Sequence, residues 1–293
     1  MIQCGRPISR EEIEEIRETV ATYENLSRTE LVMTICEHLG WVSASGGLKV
    51  DACRKMLEKL EAQGMLSLPA KKEAPRKKSR ELSHNSRTDE QPLVEGVLGR
   101  MGRVRLEVVN DKETTGLWNE FVNRYHYLGY KRPFGYHLRY FIESEFGKLG
   151  CLLFSGAAKS MGERDRWIGW SEMERLNRLG WVVNNSRFVI FPWVKVKYLA
   201  SHVLGQIARR IREDYQERWG YRPVLMETFV DPCLYQGTCY KAANWQHLGM
   251  TTGEGLVREG KSYTTSPKMI FMMPLVENFR KVLCSLPEKP VDE

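Results

Sequence analysis

No apolar run in this 293-residue chain is long enough to cross a bilayer, which removes the helical membrane-spanning class. Its first residues, MIQCGRPISREEIEE, do not run from basic to apolar as a secretory leader does. The expectation is a cytoplasmic protein with no membrane partner. Metal-ligand cysteine pairs are missing as well. The seven cysteines, at 4, 36, 53, 151, 233, 239 and 284, are odd in number and contain no CxxC or Cys/His spacing, so a structural zinc has no donor set. A disulfide framework is not expected in a chain long enough to build its own core, and the cysteines read as reduced and mostly buried. Internal repeats are absent too, which excludes repeat architectures.

The composition that remains is ordinary for a globular protein, with 42% hydrophobic and 28% charged residues. The length suits one large domain with a smaller companion. Charge is distributed unevenly. Residues 1–69 hold 8 basic and 11 acidic residues, residues 70–92 hold 7 and 4, and residues 93–293 hold 29 and 22. The net charges are −3, +3 and +7 in turn, so the positive charge sits in the middle and the C-terminal part, which points to a polyanionic partner such as DNA. The alternative is a solubilising surface with a basic tether.

Three regions follow from the pattern. Residues 1–69 read as a small helical domain: Ser9 with Glu12 and Ser27 with Glu30 fit the capping box. In a third helix Val50, Cys53, Leu57 and Leu60 recur at three and four, and a closing strand at Met65 to Leu68 would complete a winged helix. The last helix carries Lys55 and Lys59, which could face a DNA major groove. Residues 70–92 combine proline, serine and dense charge, including Lys71, Lys72, Arg76, Lys77, Lys78 and Arg80, and read as a basic disordered linker. Residues 93–293 form the third region. There LWNEFVNRYHYLGY reads as a helix, FGYHLRYFIES and KLGCLLFSGAA as strands, RDRWIGW as a third strand, and EMERLNRLGWVVNN as an irregular or helical connection.

From Ser186 to Gly255 an apolar strand, an amphipathic helix, a strand with polar residues at its end, a short helix and a Gly-rich strand follow in order. Open α/β sheets place ligands where such strands end. From about Leu117 to Leu275 the order of elements resembles the GNAT acyltransferase fold. The fold class expected is α+β: an N-terminal helical, winged-helix-like domain and a GNAT-like mixed α/β domain. In that family two neighbouring strands splay to admit acyl-CoA, and the turn before the following helix cradles its pyrophosphate. The corresponding residues here, Lys195 to Ala200, contain no glycine, and Trp245 in WQHLGM stands where the family often has an acidic tyrosine. A second resemblance spans nearly the whole chain. The strings YHYLGY, RDRWIGW, VVNNSRFVIFPWVKVKYLASHVL, PVLMETFVD and GTCYKAANWQHLG are similar to the DruA family, a component of the Druantia anti-phage system with related domains beside transposon proteins. The resemblance implies a role on DNA in prokaryotic defence or mobile elements, with other defence or transposition proteins as partners.

The candidate site residues gather late in the chain. Glu227 and Asp231 alternate onto one face of a strand, where paired carboxylates could bind a divalent metal such as Mg or act as base and acid. Alternatively Glu227 pairs with an arginine and Asp231 caps the short helix. Tyr240 and Asn244 lie four apart on one helical face, Tyr240 as acid or nucleophile and Asn244 as a reader of a base edge. Cys239 is a further candidate nucleophile. His126 stands among Tyr125, Tyr127 and Tyr130, where a ring such as Tyr127 could stack an unpaired base beside a proton-moving imidazole. Arg164, Arg175, Lys195 and Lys197 are candidate phosphate contacts. Three functions are left open: a DruA-like protein that binds DNA and modifies or cleaves it, an acyltransferase using acetyl-CoA, and a non-catalytic DNA-binding adaptor.

Overall fold

The computed structural model describes residues 1–23, 26–70, 85–253 and 265–285. The basic cluster from Lys71 to Arg80 lies outside them, as does the end of the Gly-rich stretch at Glu254 and Gly255. In chain order the first elements are β1 (Ile2–Gln3), β2 (Arg6–Pro7), α1 (Arg10–Thr22), α2 (Arg28–His38), α3 (Val50–Ala62), β3 (Val94–Val97), β4 (Arg105–Val108) and α4 (Lys112–Tyr125). Then come β5 (Leu138–Ser144), β6 (Gly147–Gly156), α5 (Gly162–Ile168), α6 (Glu172–Arg178), β7 (Val182–Ile190) and β8 (Val194–Lys197). The last are α7 (Leu199–Trp219), β9 (Leu225–Val230), α8 (Thr238–Ala242), β10 (Gln246–Met250), β11 (Met269–Pro274) and α9 (Phe279–Leu283). None of the described helices is long and apolar enough to cross a membrane.

The chain divides into two compact units, one of residues 1–79, 170–178 and 284–293, the other of residues 80–169 and 179–283. The smaller packs α1, α2 and α3 around Ile16, Leu31, Ile35, Met56, Leu57 and Leu60. Both capping boxes form: Ser9 with Glu12 opens α1, and Ser27 with Glu30 opens α2. Each satisfies two helix donors that would otherwise be free. On α3 the buried residues are Cys53, Met56, Leu57 and Leu60, while Lys55 and Lys59 are exposed. Residues 65–68 join no ladder, so the wing expected there does not form. Leu68 N–H is instead taken by the Glu61 carboxylate at 3.0 Å.

The larger unit is mixed α/β, built on a seven-stranded sheet in the order β10-β11-β9-β7-β6-β5-β4, with β3 and β8 as a separate parallel ribbon. Successive residues of β5 show how its faces are covered. On one face α4 packs Phe121 edge-on against Phe141. On the other, Tyr140 Oη donates to Asp214 of α7 at 2.9 Å. Two assignments differ from the sequence pattern. RDRW is helical, part of α5, because Arg164 is drawn to a partner on β9, a tertiary contact that overrides a period-two pattern. β7 begins at Val182, earlier than the apolar run suggests, and β4 and β11 add strands at the edge and inside the sheet.

Candidate functional site

β7 and β9 are the parallel neighbours of the main sheet, and they pair only over Val182–Asn184 and Leu225–Glu227. Beyond that they diverge, and on the α7 side the fork is filled by the protein itself. Thr228 Oγ1 donates to the Asn185 carbonyl at 3.0 Å, and Tyr240 Oη donates to Asn185 Oδ1 at 2.8 Å. The Tyr240 ring stacks on Phe271 at 5.5 Å. Gly237 opens α8 with φ +67, and a Cβ there would stand 2.5 Å from the Phe271 ring, so glycine is what lets Tyr240 reach the fork. The turn before α7 has Tyr198 as its left-handed residue, three-quarters exposed, and no side chain caps the helix start.

On the other face, the start of the divergence is closed by an ion-pair network. Glu227 is fully buried: Oε1 accepts the Ala158 N–H at 2.7 Å and Oε2 accepts Arg164 Nη1 at 2.8 Å. Arg164 also donates to the Ala158 carbonyl at 2.8 Å and to Asp165 at 2.9 Å. Burial opposes its charge, but Glu227 and Asp165 outweigh that, and its pKa is raised. Each carboxylate oxygen of Glu227 thus accepts from a fixed donor, which makes the group one half of a buried ion pair. The described residues hold no cluster of three or more His, Cys, Asp or Glu side chains that could hold a metal. The structure does not link Glu227 with Asp231, and Arg164, wholly enclosed, is not open to a phosphate.

At the far end of β9 the surroundings are open. Asp231 Oδ1 accepts the Cys233 N–H at 3.0 Å, and Oδ2 accepts from Lys268 and from Ser266. Hydrogen bonding to Lys268 is the main reason its carboxyl lies below the ordinary range. The Asp231 carbonyl takes the N–H groups of Leu234 and Tyr235, a tight turn that presents the Tyr235 ring. That ring lies 5.7 Å from Tyr127, which in turn stacks on His126 at 4.8 Å. Arg187 on β7 completes the group: Nε donates to the Gly129 carbonyl at 2.9 Å and Nη1 to the Ser186 carbonyl at 2.6 Å. Burial lowers the Arg187 pKa, with the Tyr127 hydroxyl acting against it. The Tyr127 phenol is raised by burial, then by Asp231 and Tyr235.

His126 has a defined protonation state in this group. Leu128 N–H donates to Nδ1 at 3.2 Å, so that nitrogen is an acceptor and the proton sits on Nε2. Burial, aided by the Arg187 charge, lowers its pKa to about 4. At neutral pH the ring is an uncharged donor whose acceptor nitrogen is already taken, which disfavours it as a general base. The other nucleophile candidates are shifted toward their protonated forms. Burial raises the Cys239 thiol and the enclosed Tyr240 phenol, so both stay protonated. Asn244 does not share a helical face with Tyr240, because α8 ends at Ala242 and Asn244 adopts φ 62 past its end. Arg175 pairs with Glu172 on α6 at 3.3 Å, while Lys195 and Lys197 are exposed on β8.

The open group therefore joins three residues the sequence pattern singled out, His126, Tyr127 and Asp231, to three it did not, Arg187, Tyr235 and Lys268. A signal for Arg187 was present: a charged residue inside the apolar run SRFVIF. Tyr235 and Lys268 lie on loop and strand edges whose convergence depends on β11 entering between β10 and β9.

The family described as Druantia protein DruA matches residues 59–262. Curated proteins gave no match. Among solved structures, a Bacillus subtilis acetyltransferase in complex with CoA overlaps with a TM-score of 0.33 at 8% identity, covering 59% of this chain and all of that one. FeeM, an N-acyl amino acid synthase from uncultured soil microbes, gives 0.35 at 12% over 60% of this chain and 92% of its own. A Drosophila melanogaster polyamine N-acetyltransferase gives 0.36 at 11% over 59% and 100%. At these values neither ligand nor reaction carries over to this chain.

Proposed function

The chain belongs to the DruA family, and from that premise we propose that it is a DNA-binding protein of prokaryotic anti-phage defence or of mobile elements. Its large unit engages DNA at the open end of β9. One observation carries the reading: Arg187 is a half-buried guanidinium for which the described residues supply no carboxylate. A cation partly removed from water is costly until an anion meets it, and a DNA phosphate offers paired oxygens to that planar group. The excess of basic residues after residue 92 supplies the long-range attraction. Binding fits the site better than covalent chemistry does, because Glu227 is paired with Arg164, His126 is neutral with Nδ1 occupied, Tyr240 is buried and Cys239 half-buried, and burial raises the pKa of both. Other defence or transposition proteins would then supply any reaction.

Fluorescence anisotropy with short oligonucleotides over a salt series tests this. The wild-type protein is expected to bind with an affinity that falls steeply with salt, and Arg187→Gln to bind about tenfold more weakly with a salt slope reduced by about one. Salt-independent binding, or an unchanged slope in the variant, overturns the reading. DNA of altered mass after incubation would restore the catalytic alternative. The acyltransferase alternative retains one supporting feature, the uncapped start of the 21-residue α7 beside exposed Lys195 and Lys197. Calorimetry with acetyl-CoA decides it.

A further inference from the structure

The rings at the mouth of the site carry the ligand class further. Tyr127 and Tyr235 are in contact yet remain 42% and 53% exposed, and Leu128 and Leu234 beside them are 45% and 54% exposed. Two turns hold them in this position. Gly129 N–H bonds the His126 carbonyl at 2.7 Å on one side, and on the other the Asp231 carbonyl accepts from Tyr235 N–H at 2.9 Å. His126 backs the Tyr127 ring at an interplanar angle of 27°. Flat aromatic surface kept in water and fixed in direction costs a protein solvation without adding to its core, while a ligand that covers it loses little ordering entropy. A peptide could cover such a surface, but the neighbouring Arg187 calls for an anion at the same place, and a nucleotide provides both a π-face and a phosphate.

We infer that the shelf formed by Tyr127 and Tyr235 receives an unpaired nucleobase while Arg187 holds the adjacent phosphate. The ligand is thus single-stranded DNA or a base displaced from a duplex, and this rests on the DNA-binding reading above. Paired bases are already stacked on both faces and present no free π-surface, so an intact duplex reaches Arg187 through its backbone alone.

Three oligonucleotides of one sequence test it: a single strand, its perfect duplex, and that duplex carrying one unpaired 2-aminopurine. Tighter binding of the single strand and of the bulged duplex than of the perfect duplex is expected, with 2-aminopurine fluorescence quenched on binding. Replacing the exposed ring by Tyr235→Ala should weaken single-strand binding about 5- to 100-fold and abolish the quenching. Tyr235→Trp should retain both, and an unchanged melting temperature shows that the Ala variant folds. Equal affinity for all three oligonucleotides, insensitive to Tyr235→Ala, overturns the shelf while leaving DNA binding in place. Failure to bind any of them overturns the DNA reading itself, and is the outcome expected if a protein docks here.

Discussion

The β7–β9 fork carries a carboxylate at each end, Glu227 where the strands part and Asp231 just past the end of β9, and the two ends handle their charges in opposite ways. At Glu227 everything is matched: both oxygens take fixed donors, the cation is enclosed with it, and the result ties α5 to the sheet. At Asp231 the carboxylate is matched by Lys268, which leaves Arg187 without a carboxylate among the described residues and two tyrosine rings in water. A buried carboxylate is the feature a sequence reader reaches for first, and here it is ion-paired with Arg164. The groups proposed above to meet DNA are those the fold leaves unmatched.

The largest expected effect breaks the closed end. Arg164→Ala strands the Glu227 charge in the interior and should cost about 3–5 kcal/mol, read as a shifted denaturant midpoint. Combining Arg164→Met with Glu227→Met removes both charges and should recover most of that loss, short of the unpaired Ala158 N–H. A single variant that costs less than about 1 kcal/mol would mean the pair is solvated, and the contrast between the two ends would disappear.

A smaller effect belongs to the open end and appears only in acid. The His126 pKa is lowered in the folded protein, from 6.5 to about 4. Between those values the unfolded chain takes up a proton that the folded chain refuses, so stability is fully present above about 6.5 and is lost as pH falls toward 4. The loss is on the order of 2 kcal/mol. Denaturation curves at pH 4.5 and 7 should therefore lie closer together for His126→Gln than for the wild type. Equal separation would place His126 in water, and an imidazole titrating near 6.5 by NMR would agree with that.

How much of this was legible in the sequence follows the range of the forces involved. Ser9 and Ser27 bond residues three positions away, so both helix starts could be read from the local string. The fork-filling bond from Tyr240 to Asn185 spans 55 residues and the pair of Arg164 with Glu227 spans 63. No periodicity reports either. The strand assigned to RDRWIGW failed for this reason, since its helix is held by a residue on another element. His126 and Tyr127 were visible as a run of aromatics, but their partner Tyr235 became visible only once the Asp231 turn was folded.

The smallest expected effect is the sharpest test of the comparison, because it sets one arginine against the other. Arg187→Gln removes a half-buried cation that no carboxylate among the described residues balances, and removing it relieves a desolvation cost. It also leaves the Gly129 and Ser186 carbonyls short of a donor, each worth about 1 kcal/mol, though the glutamine amide can reclaim one of them. These contributions oppose, and the net change in stability should stay within about 1 kcal/mol, several-fold less than for Arg164→Ala. If Arg187→Gln instead destabilises the protein as much as is expected of Arg164→Ala, Arg187 is a structural cation with an anion of its own. The weakened DNA binding of that variant would then report damage to the fold rather than a lost phosphate contact.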